Sequence, residues 1–188
     1  MQKYLFIDRD GTIIESPPSP LQINTIDDVV FLPDVVKWLS RIAAELDYKF
    51  VMVTNQNGLG SEEYPEENFA TVQNFLLDIL ASAKIVFEDI IVDDSYPHEK
   101  SDNRKPRIGR MQNYLENDNV DMANSFVIGD RLTDIQFAKN LGCTAIFVNP
   151  ENIRGASELT DSIEDLKNKY TALVSNLWED VYEFLKVQ

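Results

Sequence analysis

Short apolar runs recur along the chain, and each is followed by a polar segment. Tyr4-Leu5-Phe6-Ile7, Phe50-Val51-Met52-Val53, Ile90-Ile91-Val92, Phe126-Val127-Ile128 and Ala145-Ile146-Phe147-Val148 are continuous rather than alternating. That pattern predicts strands buried on both faces, as inside a parallel sheet. Between them the apolar residues take helical spacing. Val35, Val36, Leu39, Ile42, Ala43 and Leu46 predict a helix over about 34–46 opened by Pro33, with Trp38 off the stripe and half exposed. Phe69, Val72, Phe75, Leu76, Ile79 and Leu80 predict a helix over about 66–83. Pro106 is expected to start a third helix reaching about Asn117, and Gly142 to stop a fourth that ends at Leu141. Alternating strands and helices argue an α/β fold with a doubly wound parallel sheet built from right-handed βαβ units.

Two stretches stand outside this alternation. Residues 15–33 hold Pro17, Pro18 and Pro20, which exclude helix, and predict a long ordered loop. Residues 151–188 read as an appendage to a core of residues 1–150, packed on the same domain. It comprises a helix near 161–169, a strand at Ala172-Leu173-Val174 and a helix from about Leu177.

With 188 residues, 44% of them hydrophobic, the chain can bury a sizeable core. No run reaches the roughly 20 apolar residues of a membrane span. The first strand begins within a few residues of Met1, so no signal peptide is expected. A lone cysteine, Cys143, excludes an internal disulfide and suits a reducing cytoplasm. Lys and Arg total 17 against 32 Asp and Glu, a formal net charge of −15. Such a surface repels nucleic acid, so no nucleic-acid partner is expected, and no membrane partner either. It also repels phosphate esters, so any site for them needs local positive charge.

The candidate chemistry lies where the strands end. The first runs into Asp8-Arg9-Asp10-Gly11-Thr12, the second into Thr54-Asn55, and the fourth into Gly129-Asp130-Arg131-Leu132-Thr133-Asp134; Arg104-Lys105 closes the loop after the third. Ligands of open α/β sheets bind outside the carboxyl ends of the strands. Acids two residues apart at such an edge need a cation between them, most simply Mg²⁺. Alone, each element has a plain alternative: a turn, a helix cap, a solvated lysine. Together, acid, hydroxyl and cation support phosphoryl transfer through an aspartyl-phosphate. Asp8 would be the nucleophile and Asp10 the general acid and base. Thr54, Asn55 and Lys105 would hold the phosphate oxygens. Asp8, Asp130 and the Asp10 backbone carbonyl would hold the metal, with Arg104 and Asp134 in support.

Asp8-x-Asp10-Gly11-Thr12, Thr54, Lys105 and Gly129-Asp130-x-x-x-Asp134 resemble, in order and spacing, the four motifs of haloacid-dehalogenase-type phosphatases. The resemblance implies their Rossmann-like fold. No large insertion interrupts the core, which implies a minimal cap. Lys3–Thr12, the Pro17-Pro18 loop with Gln22, Thr54–Gly60, Arg104-Lys105-Pro106 and Asn124–Arg131 most resemble histidinol-phosphate phosphatases. These form the N-terminal domain of bifunctional histidine-biosynthesis enzymes. The resemblance implies a small-molecule phosphate ester as substrate, L-histidinol phosphate, in cytoplasmic histidine biosynthesis. It also implies a fused or associated imidazoleglycerol-phosphate dehydratase, to which 151–188 would lead. The alternative relative is D-glycero-D-manno-heptose 1,7-bisphosphate 7-phosphatase. Two further alternatives are a phosphate-binding scaffold without catalysis and a nucleic-acid 3′-phosphatase. Intact Asp8, Asp10, Lys105 and Asp130 count against the scaffold, and the net charge counts against the nucleic-acid enzyme.

Many of these relatives bind zinc through three cysteines and a histidine in the loop before Arg-Lys-Pro. Here that loop reads Tyr96-Pro97-His98-Glu99-Lys100-Ser101-Asp102-Asn103. Oxygen side chains and one imidazole substitute poorly for thiolates, so no structural zinc is expected. His98 is expected to be a loop residue near the substrate entrance. Glu15 and Gln22 are the candidates to line the substrate, from their position beyond Asp10.

Overall fold

In the computed structural model, which describes residues 1–18, 22–148 and 155–188, the first apolar run feeds two cores at once. Strand β1 (Lys3–Ile7) sends Leu5 and Ile7 into one and Tyr4 and Phe6 into the other. The same division holds along β2 (Tyr48–Asn55), where Phe50 and Met52 oppose Val51 and Val53. Successive side chains of a strand point to opposite faces, so a continuous apolar run must be covered on both. Helices α1 (Val35–Glu45), α2 (Glu66–Ser82) and α6 (Trp178–Leu185) supply the first cover. Helices α4 (Leu132–Leu141) and α5 (Ile163–Lys169) supply the second, beside the short α3 (Gln112–Leu115).

The sheet also contains β3 (Phe87–Asp93), β4 (Phe126–Gly129), β5 (Thr144–Val148) and β6 (Thr171–Ser175). All pairings are parallel, in the order β3-β2-β1-β4-β5-β6. From β1 the chain first builds outward through β2 and β3, then returns to place β4 on the other side of β1. The strand order therefore reverses between β1 and β4, and the carboxyl ends of these two neighbours open a crevice. Strand β6 and helix α6, from the expected appendage, extend the sheet and cover β4 and β5. Pro20 and the boundary at residue 150 fall outside the described residues. No helix among the described residues is long and apolar enough to cross a membrane.

Three expectations change. Trp38 is buried, not half exposed, because α6 packs over it and places the Tyr182 ring 5.3 Å away. Helix α1 starts at Val35, one residue late, since Asp34 adopts a left-handed conformation. Pro106 opens no helix. Residues 106–111 fold back as turns, with Arg107 N donating to Arg104 O at 2.8 Å and Gly109 N to Asp102 O at 2.8 Å. Gly109 permits this, since a Cβ there would stand 2.6 Å from Asp102 O. The 15–33 loop is tied at its base, Glu15 N to Val30 O and Leu32 N to Ile13 O. Gln22 Nε2 and Asn24 Nδ2 then donate to the carbonyls of Asn57 and Glu63.

Helices α1 and α6 are joined by Glu45, which accepts from Arg41 and from the Tyr182 hydroxyl. Those hydrogen bonds, Arg41's first, hold the Glu45 carboxyl down to about 2, against an ordinary value of 4.5. A depressed carboxylate stabilises the fold above its unfolded pKa and loses that contribution as pH falls through the folded value. Glu45→Gln should therefore lower the melting temperature at pH 7, with the difference from wild type shrinking between about pH 4.5 and 2. Thermal melts across that range read it directly.

Candidate active site at the β1–β4 crevice

Asp8 leaves the end of β1 and Asp130 the end of β4, so neighbouring strands deliver both carboxylates to one point. Asp134 comes from the first turn of α4. One oxygen from each of Asp8, Asp130 and Asp134 lies within 4.8 Å of the others, and all three residues are buried. Glycines make the convergence possible. A Cβ on Gly11, whose φ is +88°, would fall 2.2 Å from Asp130 Oδ2; one on Gly129 would fall 2.3 Å from Asp134 Cγ.

Lys105 enters this acidic group from the loop after β3. Its Nζ donates to Asp8 Oδ1 and Asp134 Oδ1, each at 2.8 Å. The Asn55 side chain grips the Lys105 backbone on both sides, accepting from its N–H at 3.1 Å and donating to its carbonyl at 3.0 Å. Burial pushes the Asp8 carboxyl up, and the Lys105 ammonium pulls it only part of the way back. Burial works against the Lys105 charge too, but the Asp134 and Asp8 carboxylates outweigh it and hold the lysine above its ordinary pKa. The pocket is lined by Asp8, Asp10, Thr54, Asn55, Lys105, Arg131, Thr133 and Asp134.

Three carboxylates against Lys105 and the neighbouring Arg131 leave the group net negative. Its donors are hard oxygens, close together and preset by the backbone. This fits a hard divalent cation. The grouped carboxylates are Asp8, Asp130 and Asp134. The Asp10 side chain turns instead to Arg9, with Nε to Oδ1 at 2.8 Å and Nη2 to Oδ2 at 3.1 Å.

A family of HAD-hydrolase-like proteins matches residues 103–179. The histidine biosynthesis bifunctional protein HisB of Bacteroides fragilis is 44% identical over 188 residues, covering 98% of this chain and 47% of that protein. HisB of Spirosoma linguale is 38% identical over 189 residues, covering 100% and 49%. The chain is thus similar to the HAD-like hydrolases in its C-terminal half. It spans about half the length of the curated HisB relatives it matches. The fold is shared with a D,D-heptose 1,7-bisphosphate phosphatase from B. bronchiseptica, crystallised with magnesium and phosphate. The TM-score is 0.79 at 23% identity, with 98% of each chain covered. A second such phosphatase, from Burkholderia thailandensis, gives 0.64 at 18% identity, covering 98% of this chain and 99% of that one.

Arg104 does not line the pocket. It is buried, and bonds Glu158 at 2.9 Å, Asn57 Oδ1 at 2.7 Å and the Ser95 carbonyl at 2.9 Å, so it ties the loops after β2 and β3 to the C-terminal segment. Glu15 and Gln22 line a separate cavity of about 170 Å³, with Ser16, Pro17, Pro18 and Asp28 among its walls. His98 is exposed and stacks on Tyr96 at 5.5 Å. The residues missed from the sequence are Arg9, Gln56, Gln73, Arg131 and Asp93. Gln73 carried one signal, an amide on the inward face of α2 beside Val72 and Leu76.

Asp93 explains how the loop before Arg104-Lys105 is held. It is buried, and its carboxylate accepts from Ser95 N at 3.1 Å, from the Ser95 hydroxyl and from the Ser101 hydroxyl at 3.2 Å. Ser101 Oγ in turn accepts from Asn103 N at 3.2 Å. Asp93→Ala should leave these donors unpaired and cost about 1–3 kcal/mol of stability. Because this loop delivers Lys105, activity should fall as well. Denaturant titration and turnover of the same preparation check both.

Proposed function

We propose that this domain is a Mg²⁺-dependent phosphomonoesterase that hydrolyses L-histidinol phosphate to L-histidinol and phosphate. The observation that carries the chemistry is the buried Asp8–Lys105–Asp134 bridge beside Asp130, at the strand-order switch. The observation that carries the substrate is the 44% identity to a histidine biosynthesis protein along nearly the whole chain. Asp8, Asp130 and Asp134 would hold Mg²⁺, which when bound offsets the repulsion between carboxylates and a phosphate dianion.

The steps belong to the side chains. An Asp8 oxygen attacks phosphorus while the bond to the substrate's alcohol oxygen breaks. That oxygen leaves with a proton taken from Asp10. Thr54 Oγ1, at the end of β2, and Lys105 Nζ face the phosphoryl oxygens and oppose the charge that gathers there. Asp10, now ionised, takes a proton from water. The hydroxide attacks phosphorus, the bond to Asp8 breaks, and phosphate departs with the Asp8 carboxylate restored. The two acids thus keep separate tasks: Asp8 beside a fixed ammonium, Asp10 on a guanidinium outside the carboxylate group.

The cavity bounded by Glu15, Gln22 and Asp28 is where the histidinol end would lie, since two carboxylates suit its amine and imidazole. The proposed partner is a fused or associated imidazoleglycerol-phosphate dehydratase, a reading supported by the bifunctional name and greater length of the relatives.

Phosphate release from histidinol phosphate, heptose 1,7-bisphosphate and p-nitrophenyl phosphate, with and without Mg²⁺, tests the proposal. Histidinol phosphate should give the highest kcat/KM, and only with the metal. Preference for the heptose ester would replace the substrate; inactivity of folded protein on all three would end the proposal. Asp8→Asn should lower kcat on the order of a thousandfold or more.

A further inference from the structure

Arg9 is, with Arg104, one of the largest fully buried side chains among the described residues, and the steps above give it no task. Its guanidinium is inaccessible and makes four hydrogen bonds with its five N–H groups. Nε and Nη2 meet the two oxygens of Asp10 as a fork. Nη2 also reaches Gln56 Oε1 at 3.0 Å, and Nη1 reaches Gln73 Oε1 at 3.1 Å. The plane lies 5.2 Å from the centre of the Phe69 ring. The supports are themselves fixed. Gln56 Oε1 accepts from the Tyr64 hydroxyl at 2.8 Å, while Gln56 Nε2 donates to Asp10 Oδ2 at 2.9 Å and Thr54 Oγ1 at 2.7 Å.

Burying a guanidinium is costly, and a structural tie between α2 and β1 needs no charge. What the charge and the planar fork add is a fixed orientation for one carboxyl group, since a bidentate pair sets both its plane and its rotamer. That carboxyl group lines the phosphate pocket. The same Gln56 amide fixes Thr54 Oγ1, so the proton-transfer group and a phosphate-facing hydroxyl share one brace.

We infer that Arg9 is a positioning residue for Asp10: braced by Gln73 and Gln56, it aims the Asp10 carboxyl at the leaving-group oxygen without touching substrate itself. The inference rests on Asp10 as the general acid of the proposed phosphatase. It predicts a loss that depends on the leaving group. An alkyl alcohol cannot depart without a proton, whereas p-nitrophenolate can.

The test compares kcat/KM for histidinol phosphate and p-nitrophenyl phosphate, since this ratio reports the step that expels the alcohol. Arg9→Lys keeps the charge and removes the fork. Gln73→Met keeps the volume and removes one brace. Melting temperatures are measured alongside. Arg9→Lys should lose about tenfold or more on the alkyl ester and less than about threefold on the aryl ester, with Gln73→Met following in the same direction to a smaller degree. Equal losses on both esters, at any melting temperature, would overturn the inference. If Arg9→Lys does not fold, Gln73→Met decides alone: a lower melting temperature with an unchanged ester ratio makes the network merely structural. Wild-type protein inactive on both esters would remove the phosphatase proposal and this inference with it. An active wild type with equal losses in the variants removes the inference only.

Discussion

An ammonium group held between two buried carboxylates, with a third beside them, is the interaction on which the rest of this structure depends. Lys105 lies 97 residues from Asp8 and 29 from Asp134, and joins β1, the loop after β3 and the start of α4. Without a cation the three acids could not be buried together, because like charges in a low-dielectric crevice raise one another's pKa until one is protonated. Lys105 keeps its charge there because the carboxylates outweigh the desolvation that would remove it. The backbone serves the same end. Gly11 and Gly129 leave space for carboxylates that a Cβ would displace, and Asn55 fixes the lysine's own peptide groups.

The acidic surface contrasts with a set of cations buried beside the site. The chain carries a formal charge of −15, yet Arg9, Arg104 and Lys105 are all buried near the carboxyl ends of β1, β2 and β3. Each does a separate thing: Lys105 bridges the acids, Arg9 forks onto Asp10, and Arg104 binds loops together through Glu158, Asn57 and Ser95. An acidic exterior repels phosphate esters at a distance, so attraction must come from the crevice itself. The cavity beside Glu15, Gln22 and Asp28 carries the surface's sign, which suits the cationic end of an amino alcohol better than a second phosphate.

The sheet was legible because buried parallel strands write themselves as continuous apolar runs, and the acids stand out at their ends. Asp8, Thr54, Lys105 and Asp130 could be placed on one edge by connectivity alone. The polar brace was not legible. Arg9, Gln56 and Gln73 are scattered through the chain, and their meeting depends on how α2 packs over β1 and β2, which periodicity does not specify. The burial of Trp38 is hidden from the sequence for a similar reason. Its cover is α6, 140 residues later, and no local pattern announces it. Pro106 looked like a helix start because proline favours that position, but Gly109 and the return to Asp102 turn the chain back first. In the sequence Asp93 is like any strand-end acid, and only the fold brings it three donors.

The central claim is that a carboxylate at the tip of β1 takes the phosphoryl group. Quenching the enzyme during turnover of histidinol phosphate, reducing any acyl phosphate with tritiated borohydride and mapping the labelled peptide tests it most directly. The label should appear as homoserine at position 8 and nowhere else. Label at another carboxylate, or hydrolysis at full rate with no label trapped at any time, would contradict it.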